Sequence, residues 1–171
     1  KKPMNKGTQS PELPSPEEIT RVLGIGSLTI EWLAGDGSDR SYYRLRSPDL
    51  PLPLVLMHLS GDDAKALKAN GYIWVKIAKV MNEVNLKVPK VLATMPDFAA
   101  IIIEDYGDVM LETSVFELAK TGDVEGISAF YDEAFQILVR FLSIEKSDSA
   151  IWCRQSFDAA RFEWELNFFF Q

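Results

Sequence analysis

The chain has one cysteine, Cys153, and one histidine, His58, in 171 residues. A single thiol excludes an intrachain disulfide and any paired-cysteine metal site. A single imidazole excludes every mechanism that needs two. No apolar run approaches the roughly 18 residues of a membrane-spanning helix, and the first residues carry no hydrophobic block of the signal-peptide kind. No membrane partner is expected, and the cytoplasm is the expected compartment. Positive charge is scarce: 18 Lys and Arg against 25 Asp and Glu give a formal charge of -7. That balance argues against a nucleic-acid surface but leaves room for a local cationic site. What remains is ordinary for a globular protein, with 47% hydrophobic and 25% charged residues. The length suits one domain or two small lobes.

Residues 1–14, rich in Lys, Pro, Ser and Gly, read as a disordered lead. Ser15-Pro16-Glu17-Glu18 is a helix start with a cap, a proline at the first helical position and acids in the first turn; Gly24 ends that helix. Residues 28–33 alternate as a strand. Gly35 to Asp39 is a glycine turn, and Arg40 to Arg46 completes a hairpin. A proline-punctuated loop precedes a short apolar run, Leu54 to Leu59, read as a central strand. Residues 60–71 are polar and unassigned, with a break at Asn70-Gly71. Residues 72–84 have helical spacing, and residues 89–94 and 99–104 read as two more strands around a turn at Asp97-Phe98. After Gly107 the chain turns to helices, a long one over residues 123–144 and another from Ser156 into Phe168-Phe169-Phe170. The fold class expected is α+β, a five-stranded antiparallel sheet with a helix, followed by a helical part. The boundaries are a lead at 1–14, a sheet lobe at 15–106, and a hinge with the start of a helical lobe at 107–171.

Two segments carry chemistry. Gly35 and Gly37 let the hairpin tip approach phosphates closely, because no Cβ blocks the path. Ser38 and nearby backbone N–H groups are donors for phosphate oxygens, and Arg40 is the nearest cation. Tyr42 either joins that site or packs beneath it. Ile101-Ile102-Ile103 runs into Glu104-Asp105-Tyr106-Gly107-Asp108, a buried strand ending in a polar turn. Glu104 and Tyr106 there offer a backbone carbonyl and N–H to an adenine edge, and Asp108 is placed to cap the next helix. Taken singly, these residues also suit a plain hairpin turn, a solvated arginine and a solvated linker.

Four segments together resemble the aminoglycoside/choline phosphotransferase family, and within it the bacterial kinases of N-acetylmuramate and N-acetylglucosamine. Gly35-Asp36-Gly37-Ser38-Asp39-Arg40-Ser41-Tyr42-Tyr43-Arg44 resembles the phosphate loop G-D-x-S-x-R-x-Y-x-R. Val88-Pro89-Lys90-Val91-Leu92-Ala93 is similar to its V-P-x-V-L-A strand. Ile102-Ile103-Glu104-Asp105-Tyr106-Gly107-Asp108 is similar to its L-L-E-D-L-G-D hinge. Phe157-Asp158-Ala159 through Phe168-Phe169 is similar to its Y-D…E-L…F segment. The resemblance implies a kinase-like N-lobe that holds ATP, with transfer of its γ-phosphoryl group to the hydroxyl of a small molecule.

The departures are equally specific. A kinase places a Lys on the third strand, paired to a helix glutamate; Leu54-Val55-Leu56-Met57-His58-Leu59 has none. His58 stands where the amino-sugar kinases have an acid. No H-x-D follows residue 108, so no catalytic residue is expected in this chain, and the Mg²⁺ ligands are expected outside it. The chain alone is expected to be inactive, as the front half of a longer kinase. Phe168, Phe169 and Phe170 call for a missing lobe or a protein partner. The alternative reading is a non-catalytic kinase-like interaction module.

Overall fold

The structure, a computed structural model, describes residues 11–35, 40–144 and 158–169. It is α+β, with one antiparallel five-stranded sheet and six α-helices among the described residues. Helix α1 (Pro16–Leu23) starts where a capping box satisfies two otherwise orphaned amides. The Ser15 N–H donates to Glu18 Oε2 at 2.7 Å, and the Glu18 N–H donates to Ser15 Oγ at 3.3 Å. It stops at Gly24, whose φ of 69° only a residue without a Cβ adopts freely.

Strands β1 (Thr29–Gly35), β2 (Arg40–Arg46), β3 (Leu54–Leu59), β4 (Val91–Met95) and β5 (Ala100–Glu104) pair in the order β1-β2-β3-β5-β4. Every neighbouring pair is antiparallel. The central strand β3 is covered on both sides, which accounts for its continuous apolar run. Val55, Met57 and Leu59 face one core with Ile101 and Ile103, under Ala64, Leu67 and Tyr72. Leu54 and Leu56 face the other with Ala100 and Ile102, under Ile19 of α1. Leu13 packs against this second core and Pro14 is fully buried, so the end of the expected lead lies on the fold. Residues 1–10 fall outside the described residues.

Between β3 and β4 lie two helices, α2 (Gly61–Lys68) and α3 (Ile73–Glu83). The polar stretch after β3, residues 60–71, unassigned from sequence, is thus mostly helical, with 8 of its residues in α2. Only Ala64 and Leu67 of α2 are buried, too few for a clear periodic signal. A 3-10 turn (Pro96–Phe98) joins β4 to β5. Beyond β5 come α4 (Leu111–Thr121), α5 (Val124–Leu142) and α6 (Ala159–Phe169). Neither α4 nor α5 contains a fully buried residue. Along α5 the large apolar residues Phe130, Tyr131, Phe135, Leu138, Val139, Phe141 and Leu142 stand exposed. Phe170 and the side chains of Phe168 and Phe169 lie outside the described residues, as does Cys153.

Candidate functional site

Strand β2 decides the site. Its register sets Arg40 opposite Leu59, Tyr42 opposite Met57 and Arg44 opposite Val55. Side chains two apart share a face, so Arg40, Tyr42 and Arg44 form one stripe on the side covered by α2 and α3. Val55 in turn pairs with Ile103, which puts the Arg44 row at the end of the sheet where β5 runs into the polar turn. Arg40 lies at the opposite end, beside the hairpin tip. Four residues along a strand span about 13 Å.

Arg44 is 8% exposed. Its Nε donates to Asp105 Oδ2 at 2.5 Å and its Nη2 to Asp105 Oδ1 at 3.3 Å. Its Nη1 and Nη2 donate to Asp108 Oδ2 and Oδ1 at 2.8 and 2.7 Å. Both carboxylates are therefore held by paired bonds, the strongest way to bind a guanidinium. Asp108, then Asp105, raise the Arg44 pKa further above its already high ordinary value. Arg44 in return lowers that of Asp108. The turn is shaped to deliver these acids. Gly107 has φ 79°, and its N–H donates to Asp105 Oδ1 at 2.7 Å. Asp108 was expected to cap the next helix; the residue at the cap of α4 is Met110, and Asp108 is spent on Arg44.

At the other end, Asp63 Oδ2 on α2 gathers three donors. Arg40 Nε lies at 3.1 Å, Arg40 Nη2 at 3.1 Å and the Tyr72 hydroxyl at 3.2 Å. Burial opposes the charge of Arg40, but Tyr72, Asp63 and Tyr42 outweigh it and raise its pKa. Burial pushes the Tyr72 phenol up to about 12, so it stays a donor at neutral pH. Between the two arginines the face is apolar: Met57, on the strand where a kinase lysine was looked for, is 1% exposed.

The residues singled out from sequence are therefore distributed as follows. Arg40 and Tyr42 share one face. Gly35 is the last residue of β1. Gly37 and Ser38 lie outside the described residues. The Glu104 side chain turns to Lys90, whose N–H donates to Oε2 at 3.0 Å, and the Glu104 N–H donates to the Lys90 carbonyl at 3.1 Å. Tyr106 is exposed, and among the described residues its backbone N–H has no acceptor. His58 sits on the opposite face, with Nε2 buried and unpartnered among the described residues. Asp63, Tyr72, Asp105 and Asp108 complete the clusters. Sequence reasoning did not assign the first two; only the placement of Asp63 in the first turn of α2 hints at them.

A cleft of about 540 Å³ lies between α3 and β4, lined by Val75, Lys79, Asn82, Glu83, Lys90 and Val91. A smaller one of about 90 Å³ lies where residues 85–87 meet α5, beside the ion pair of Lys87 with Glu133. Apart from Lys90, which binds Glu104, neither is built from the stripe or the turn. Among the described residues no group of three His, Cys, Asp or Glu side chains is placed to hold a metal ion. Both oxygens of Asp105 and of Asp108 accept hydrogen bonds from Arg44, so these acids do not fit Mg²⁺. No helix among the described residues is long and apolar enough to cross a membrane. Comparisons with protein-family models, with curated proteins and with solved structures find no match to this chain.

Proposed function

We propose that this chain is the ATP-binding portion of a small-molecule phosphotransferase of the aminoglycoside/choline phosphotransferase type, built as a kinase-like N-lobe with the first helices of a C-lobe. The observation that carries the reading is the Arg44 clamp. The two segments that most resemble the family in sequence, the glycine hairpin and the polar hinge, are tied into one unit by four hydrogen bonds. The two ends of β2 that these segments adjoin lie about 13 Å apart, the scale of an extended nucleoside triphosphate. In this reading adenine lies at the hinge, against Glu104 and Tyr106, and the phosphates lie toward Arg40. Gly35 and Tyr42 belong to the phosphate end, and the resemblance assigns to it Gly37 and Ser38, which lie outside the described residues. The acceptor is a sugar or amino-alcohol hydroxyl. The general base and the Mg²⁺ ligands are assigned to no residue here.

Calorimetric titration with ATP tests the reading. Saturable binding, competed by adenosine, is the expected result. A Kd weaker than about 5 mM, equivalent to about -3 kcal/mol, refutes it.

A second reading, a non-catalytic interaction module, is favoured by the exposed Phe116, Phe135, Val139 and Leu142 on α4 and α5. Large apolar side chains exposed together along a helix are a mark of contact sites. Sedimentation distinguishes the two: the module associates with rising concentration, loses that association in Phe135→Asp, and binds no nucleotide.

A further inference from the structure

Among the described residues Arg40 is the cation at the hairpin end of the β2 stripe, and it is already bound. Asp63 takes its Nε and one Nη2 hydrogen on a single oxygen and the Tyr42 hydroxyl takes another donor, which leaves at most two of the five guanidinium N–H groups for other partners. The side chain keeps 31% of its exposure, so those donors are reachable. A long arginine at the end of a strand loses rotamer freedom on meeting an anion; one already fixed by a carboxylate loses less. Asp63 is itself fixed by the hydroxyl of Tyr72 at 3.2 Å, and Tyr72 is 4% exposed. The chain of support runs from a buried phenol at the start of α3, through an acid on α2, to a cation on β2.

We propose that Asp63 and Tyr72 are positioning residues that hold Arg40 in one rotamer to receive the β- and γ-phosphates of a nucleoside triphosphate. This rests on the nucleotide reading above and adds to it a strand-to-helix ion pair one strand over from Met57, whose place carries no charge. Arg40 supplies discrimination: its contact exists for the triphosphate and not for adenosine. Asp63 lowers the net charge at Arg40, so its contribution is orientation rather than attraction.

The test compares binding of ATP and adenosine by calorimetry to the 171-residue chain and to Arg40→Met, Asp63→Asn and Tyr72→Phe, with thermal melting of each variant alongside. Loss of a charge-assisted hydrogen bond to phosphate weakens ATP binding by about tenfold or more in Arg40→Met. Adenosine binding should stay within about twofold. Asp63→Asn and Tyr72→Phe should show the same selective loss, smaller in that order, and Arg40→Lys should recover little, because a lysine lacks the fork that Asp63 holds. Parallel losses for ATP and adenosine, in step with melting temperature, assign the cluster to stability and overturn the proposal. So does selective loss in Arg40→Met with none in Asp63→Asn. If the chain binds ATP and every variant keeps the wild-type ratio, this proposal fails and the nucleotide reading stands. If the chain binds neither ligand, both fall.

Discussion

Replacing Arg44 with Met tests the clamp most directly. The substitution keeps length and apolar stem while removing the charge. Asp105 is the partner that suffers, because its side chain is only 6% exposed. It would be left with the Gly107 N–H on Oδ1 and nothing on Oδ2 among the described residues. Asp108, at 73% exposure, returns to water. Breaking a buried ion pair from one side costs about 3–5 kcal/mol. Because the cluster opens to solvent on the Asp108 side, the low end applies, about 3 kcal/mol. Urea unfolding followed by tryptophan fluorescence reads this as a lower midpoint at unchanged slope. Removing both charges, Arg44→Met with Asp105→Leu, should recover part of the loss, since no unpaired charge is then buried. A single variant within about 0.5 kcal/mol of wild type refutes the reasoning and makes the cluster a solvated surface pair.

Three further outcomes follow from local geometry. Gly107→Ala meets no atom within 4 Å, so its cost is the φ of 79° alone; about 1 kcal/mol of stability is lost, read by the same urea titration. Ser15→Ala removes one arm of the capping box and costs about 1 kcal/mol, seen in thermal melting as a lower midpoint. His58 has a pKa lowered from its ordinary 6.5, chiefly by burial. The folded chain therefore refuses a proton that the unfolded chain accepts, and stability falls as pH drops below about 6.5. His58→Gln should flatten that part of the stability profile, and an unchanged slope contradicts the assignment.

The sheet was legible because its strands obey simple rules. β2 and β3 have the bounds read from sequence, Arg40–Arg46 and Leu54–Leu59, since a glycine turn and a proline-rich loop isolate them. Helix α2 was not legible, because its first turn is Gly61-Asp62-Asp63 and acids of that kind serve loops as readily as helix starts. In the site, the alternation Arg40, Tyr42, Arg44 announced a shared face, but not what each arginine meets. Asp105 lies 61 residues and Asp108 64 residues from Arg44. Pairings that distant are set by the order β2-β3-β5, which no local pattern encodes. Asp63 and Tyr72 escaped for the same reason: each belongs to a helix whose own periodicity says nothing of the strand end it covers.

The two clamps also fix a direction on the sheet. Both ends of the β2 stripe carry an arginine, yet they are not equivalent. Arg44 has four of its five N–H groups committed to two carboxylates, leaving a local surplus of negative charge. Arg40 faces one carboxylate through a single oxygen and also bonds the Tyr42 hydroxyl. The hinge cluster therefore carries one net negative charge, Arg44 against two carboxylates, and the Arg40–Asp63 pair carries none, while Met57 and Val55 between them lie buried beneath α2 and α3. The difference is set by the acids that α2 and the hinge turn bring to the two ends of β2, two at Arg44 and one at Arg40.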